Sequence, residues 1–303
     1  MTTLLVGFDS AWTPQNSGAI VAVVRADEGK LIELGSPHVA GWRDAEERIV
    51  RWQRDEKVTR TVVLLDQPTI VTNTAGQRPV ENVVASLVSR RFGGMQPANT
   101  ARTEMFGEGA PVWRFLERFG GAADPHRPLM QTRVFETYPV LIMIALGWML
   151  PDARRSGGRL PRYNPDRGRT FSAVDWRHVC QRIRTEFEAR RLSGLAKWLD
   201  NAAANARPRK RDQDCVDACI CLLAALYLVE RRECLMIGNT HTGYIVVPSG
   251  RELQSELEAR CAKTGRAHAE WLTWFMCPAD YVEPLSNNRL QQAALRAAAD
   301  ADR

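Results

Sequence analysis

Five carboxylates in this 303-residue chain stand where a carboxylate could do chemistry. Three of them close short apolar runs: Leu4-Leu5-Val6-Gly7-Phe8-Asp9, Val62-Val63-Leu64-Leu65-Asp66 and Val134-Phe135-Glu136. The other two, Asp214 and Asp217, lie three apart, a spacing that puts them on one face of a helix. At about 100° per residue Asp217 aligns with Cys221, Ala224 and Leu228, so that face looks into the protein. An ionised carboxylate is costly to bury unless it is paired or bound to metal. Converging carboxylates repel one another, and hard divalent cations, Mg2+ or Mn2+, take oxygen ligands. Two such ions can clamp a phosphodiester and activate a water for in-line attack. Asp9, Asp66, Asp217 and Glu136 are therefore candidate metal ligands, and all five acids, Asp214 included, are candidates for catalysis. Each also has a plainer use. Asp9 and Asp66 can cap the turns that follow them, Glu136 can pair with Arg133 or another arginine, and Asp214 can be the N-cap of its helix. Asp217 lies past the cap on an apolar face.

These acids need elements to carry them. Residues 4–8, 19–25 and 31–34 read as an antiparallel meander, with turn chemistry at 12–18 and 27–29. Residues 43–57 have helical spacing, and 61–65 form an apolar β-branched strand. Strand, helix, strand implies a parallel pairing and a buried central strand. In such sheets sites gather at the carboxyl ends of the strands. Farther on, helices are expected at 79–90, 112–119, 140–149, 174–201, 214–230 and 252–261, with a peripheral helix after 285. Strands are expected at 133–136 and 244–247, and loops at 91–99 and 156–168.

A formal charge of +6, 45% hydrophobic and 25% charged residues describe a soluble globular chain, long enough for a sizeable core. Disordered, collagenous and disulfide-rich secreted classes are excluded. The apolar uncharged run 137–151 is 15 residues, too short to span a membrane. Residues 1–8 lack the basic segment of a signal peptide, so the expectation is a cytoplasmic protein with no membrane partner. Seven cysteines without a CxxC pair read as reduced core residues ahead of a zinc site. Charge is uneven: residues 151–211 hold 16 Lys+Arg against 6 Asp+Glu, and the rest of the chain 25 against 29. A concentrated basic segment suggests a polyanion such as nucleic acid. Arg207, Arg209, Lys210 and Arg211 directly precede the acidic helix and can guide a phosphate backbone to it, or form an exposed linker. Arg78 and Glu81 can pair with each other, or Arg78 can reach phosphate. Trp12, beside Asp9, can stack on a base or pack under its loop. Neither GxxxxGK[ST] nor GxGxxG occurs.

Six segments recur in order: Gly7-Phe8-Asp9; Leu65-Asp66-Gln67-Pro68; Arg78-Pro79-Val80-Glu81; Val134-Phe135-Glu136-Thr137-Tyr138-Pro139; Asp214-Cys215-Val216-Asp217-Ala218; and Thr242-Gly243-Tyr244-Ile245-Val246-Val247-Pro248. Over residues 4–250 this series resembles the family called domain of unknown function 429, predicted RNase H-like nucleases. The Asp-x-x-Asp helix is similar in style to the last helix of RuvC-type resolvases. The chain departs from the family pattern around the second Asp, at Leu65 and Gln67-Pro68-Thr69. The resemblance implies an α/β fold: a ribonuclease H-like mixed five-stranded sheet flanked by helices. It would span residues 1–250, with insertions at about 67–131 and 151–211 and a helical C-terminal extension over 251–303. It also implies a divalent-metal-dependent nuclease that hydrolyses phosphodiesters in nucleic acid. Two alternatives stand beside it. One is a non-catalytic nucleic-acid-binding module. The other is a small-molecule phosphotransferase or phosphohydrolase, as in the actin-like sugar kinases that share the core fold. DNA and RNA, branched and linear substrates, and the oligomeric state all stay open.

Overall fold

The computed structural model describes residues 2–127, 131–154, 157–230 and 232–276. Strands β1 (Thr3–Asp9), β2 (Gly18–Arg25), β3 (Leu31–Glu33) and β4 (His38–Ala40) come first. Helix α1 (Trp42–Asp55) crosses to β5 (Arg60–Leu65); α2 (Pro79–Ser89), α3 (Thr103–Phe106) and α4 (Pro111–Arg118) precede β6 (Thr132–Glu136). Then come α5 (Pro139–Ala145), a 3-10 turn at Pro165–Thr170, α6 (Ala173–Ala189), α7 (Ser193–Ala204) and α8 (Lys210–Val229). The chain closes with β7 (Cys234–Asn239), β8 (Gly243–Pro248), α9 (Arg251–Lys263), α10 (His268–Trp271) and β9 (Leu272–Phe275).

The fold is α/β, a mixed open sheet flanked by helices. Its strand order is β3-β2-β1-β5-β6, with β4 also paired to β2, which makes six strands where the sequence suggests five. The extra strand arises because β3 covers only Val23–Arg25 of β2; after Gly35 (φ +101°) the chain returns to pair His38–Ala40 with Gly18–Ile20. The expected antiparallel meander and the parallel β1–β5 pairing are both present. Phe8 is level with Leu65 across β1–β5, and Leu65 with Glu136 across β5–β6. The parallel register thus brings Asp9, Asp66 and Glu136 to one edge.

Strand alternation divides the core. Leu4, Val6, Phe8, Val63 and Leu65 face α1 and α4, where the Phe8 and Trp42 rings meet edge-on at 5.3 Å. Leu5, Val21, Val62 and Leu64 face α8 and the elements around it. Helix α8 is buried all round, not along one stripe, because α6 of the α6–α7 hairpin, α5 and β8 pack on it as well as the first sheet. That hairpin replaces the single helix expected over 174–201. The chain breaks at Arg191 (φ +61°), where the Leu192 amide turns back to the Phe187 carbonyl at 2.9 Å. Gly7 sets the distance between β1 and α8. A Cβ there would lie 2.1 Å from the Ala218 carbonyl oxygen and 2.3 Å from the Leu222 nitrogen, so the helix backbone rests directly on the strand.

A second sheet, ordered β8-β7-β9, is antiparallel. It holds the expected late strand, and it draws in the chain beyond residue 250, which is therefore not helical throughout. Leu253, Leu257 and Cys261 of α9 enter the same core as α8, with Trp271 and Trp274 packed against it. The helix expected after residue 285 lies outside the described residues. Cys180, Cys215, Cys219, Cys221 and Cys261 are buried free thiols, and Cys234 is buried too. Among the described residues, no helix is long and apolar enough to cross a membrane.

Candidate functional site

Asp9 ends β1 and Asp66 follows β5, tied together by the Asp66 amide donating to the Phe8 carbonyl at 2.9 Å. Asp214 and Asp217 come from the opening turns of α8, which Gly7 lets lie against β1. Asp214 is not the N-cap. That position is Arg209, whose amide donates to Asp212 at 2.7 Å, which places Asp214 inside the helix. All four carboxylates line one cleft of about 810 Å³, and Asp9, Asp214 and Asp217 are each only 6% exposed.

The cleft holds more negative charge than its surroundings offset. Burial first, and then repulsion from Asp217, Asp66 and Asp214, push Asp9 well above the carboxylate range. Asp66 is raised well above it as well, by burial and then by Asp217. Burial raises Asp214 against the pull of Lys210, and burial pushes Asp217 up to about 6. Like charges gathered in one cleft raise one another, so the cluster keeps its protons beyond the ordinary carboxylate range. The Lys210 ammonium attracts all four acids and bonds Asp214 directly; although burial opposes its charge, the acids raise its pKa. Asp217 is also held by neutral donors, the Tyr163 hydroxyl at 2.6 Å and the Gln213 amide at 2.9 Å.

Glu136 stands apart from this cluster. Arg78 clamps it with two bonds of 2.9 and 2.5 Å, and the Thr69 amide donates to it at 2.9 Å. The same guanidinium bonds Glu81 at 2.9 Å and the Ile70 carbonyl at 3.0 Å. Glu81 also accepts from the Arg78 and Ala98 amides. Burial raises Glu136, but the Arg78 cation opposes that rise. Glu136 is paired with an arginine, the partner being Arg78. Arg78, with its side chain 1% exposed and all three nitrogens engaged, is a clamp built into the cleft lining.

The basic run divides. Arg207, Arg209 and Arg211 are exposed beside the start of α8 and form no ion pair with a described residue, while Lys210 turns into the acid cluster. Sequence reading missed Tyr163 and Gln213. Gln213 lies four residues before Asp217 on the same helix, a spacing that could have found it. Tyr163 sits on an irregular loop 54 residues from its partner, with no periodic signal. The walls of the cleft come from that loop (Arg162, Tyr163, Arg167), from the chain after α2 (Phe92 to Gln96), and from Trp12. His241 lies exposed in the β7–β8 turn, away from the cleft lining.

Among the described residues, no three His, Cys, Asp or Glu side chains are grouped so as to hold a metal ion outright. The chemistry of the donor set still fits one. Asp9, Asp66, Asp214 and Asp217 offer only oxygen, and their mutual repulsion leaves a want of positive charge that a hard divalent cation meets. The family model described as Protein of unknown function (DUF429) matches residues 7–241. No curated protein and no solved structure matches the chain significantly.

Proposed function

The chain belongs to the Protein of unknown function (DUF429) family, and from that premise we propose that the acid cluster is the site of a divalent-metal-dependent nuclease with a ribonuclease H-like fold, working in the cytoplasm. The observation that carries this reading is the crowding of Asp9, Asp66, Asp214 and Asp217 in one cleft, with every carboxyl raised in pKa. Groups pushed out of their ordinary range by burial and like charge mark functional sites. These four acids would hold Mg2+ or Mn2+, which when bound activates a water and polarises the phosphodiester. Tyr163 and Gln213 orient Asp217. Arg78 and Glu136 fix the chain after Asp66 through the Ile70 carbonyl and the Thr69 amide. Arg207, Arg209 and Arg211 collect the phosphate backbone at the mouth. We assign residues 1–250 to this domain, with 67–131 and 151–211 as insertions that wall the cleft.

The test is cleavage of branched, duplex, hybrid and single-stranded substrates in Mn2+ by the wild type and by Asp9→Asn. Metal-dependent cleavage that falls at least 100-fold in a folded Asp9→Asn protein supports the reading; full activity in the variant overturns it. Salt-sensitive binding without cleavage would leave a binding module. A second reading, transfer or hydrolysis on a small phosphate ester, is favoured by the cleft volume of about 810 Å³, which is in the range of small-ligand pockets.

A further inference from the structure

Five non-glycine residues among those described have a left-handed backbone, and two of them, Trp12 (φ +59°) and Phe92 (φ +63°), are aromatic and line the acid cleft. Bulky side chains avoid this conformation, so something must impose it. At Phe92 the neighbours do. Arg91 is buried and anchored to Glu256 at 2.8 and 2.6 Å and to Glu252 at 3.3 Å. Its carbonyl accepts the Leu160 amide at 3.1 Å. Gly93 is wedged so tightly that a Cβ would meet Val88 at 2.5 Å and Leu160 at 2.6 Å. Between these two fixed points Phe92 is pushed outward and stays 44% exposed. Arg162, two residues beyond Leu160, stands 5.8 Å from its ring centre. Trp12, also in the cleft lining, follows Asp9 by three residues and rests edge-on against Phe106 at 5.9 Å.

The two walls are tied down as well as shaped. The Tyr138 hydroxyl bonds the Gly94 carbonyl at 2.5 Å, and Tyr163 bonds Asp217 at the floor. Asp9, Asp214 and Asp217, each 6% exposed between tied-down walls, are more open to a phosphate on an unpaired nucleotide than to one inside a base-paired duplex. Enzymes whose reacting atoms sit in such pockets take single strands or extrude a nucleotide. Aromatic faces beside basic side chains are the way proteins hold unpaired bases.

We propose that the cleft receives an unpaired nucleoside phosphate, its phosphate toward the carboxylate cluster and its base against Phe92 and Arg162. The inference rests on the metal-dependent reading of the acids, and it is tested by binding, so that it can fail while that reading stands. Fluorescence anisotropy with labelled oligonucleotides is measured in Ca2+, for the wild type, Phe92→Ala and Phe92→Leu, with folding checked by thermal unfolding. The expected result is a single strand bound at least tenfold tighter than a duplex of the same sequence. Phe92→Ala should weaken binding roughly 5- to 100-fold, the effect of removing one stacked base, and Phe92→Leu nearly as much. Competition by a mononucleotide identifies the source. Displacement at concentrations near the oligonucleotide Kd points to a free nucleotide, and weak displacement to a strand. Equal binding of duplex and single strand, single-strand binding unaffected in both folded Phe92 variants, or no binding of either nucleotide form would overturn the proposal. Mn2+-dependent cleavage of duplex and single strand at equal rates would overturn it while leaving the nuclease reading intact.

Discussion

Glu81 and Glu136 are closed off by Arg78, whereas Asp9, Asp66, Asp214 and Asp217 share the half-exposed ammonium of Lys210. The two clusters line the same cleft and are built from the same kind of side chain. In the first, a guanidinium placed between two carboxylates meets them with three hydrogen bonds, and backbone amides take up remaining oxygens. In the second, the acids repel each other and every one is raised in pKa. A closed cluster holds a fold together. An open one costs stability, and a fold that keeps such a cost gives reason to look for a ligand.

The largest expected effect comes from opening the closed cluster. Arg78→Met leaves two buried carboxylates without their cation and should cost about 3–5 kcal/mol in equilibrium urea unfolding. A loss under about 1 kcal/mol would erase the distinction. Next is relief of the open cluster. Because the Asp217 carboxyl is pushed up to about 6, the folded state binds its proton more tightly than the unfolded chain does. That contribution is complete below about pH 4 and is lost as pH rises through about 6. Metal-free Asp217→Asn should therefore exceed the wild type by about 3 kcal/mol at pH 7.5, and the gap should close toward pH 4. A variant less stable than wild type at pH 7.5 would break the comparison. A smaller change is expected of Tyr163→Phe, which removes the 2.6 Å donor to Asp217. It should cost about 1 kcal/mol and move the Asp217 carboxyl titration upward by NMR. The smallest structural effect is expected at the rim. Arg207→Ala, Arg209→Ala and Arg211→Ala combined should leave Tm unchanged. The slope of log K against log salt for a single strand should become shallower by about 0.7 for each phosphate that the variant no longer neutralises.

How much of this could be read in advance depended on distance along the chain. Apolar runs ending in an acid, joined by a helix, gave the parallel pairing, and the register then carried Asp9 and Asp66 to one edge. Asp217 announced itself by heading an apolar face, and the whole helix around it proved buried. Partners brought in from afar were not legible. Arg78 is 58 residues from Glu136, and Tyr163 is 54 from Asp217. Strand β4 is three residues long, too short to show an alternation. The break between α6 and α7 falls at Arg191, a residue type that carries no turn signal. Lys210 was legible as basic but not as the cation of the acid cluster, because its direction is set by where α8 begins.

The central claim is that the four aspartates form one cation site. It is met most directly by calorimetric titration of Mn2+ into the wild type, Asp9→Asn and Asp217→Asn, the two variants being altered on separate elements. The account predicts saturable binding in the wild type that each substitution weakens at least tenfold. Binding that neither substitution changes would contradict it.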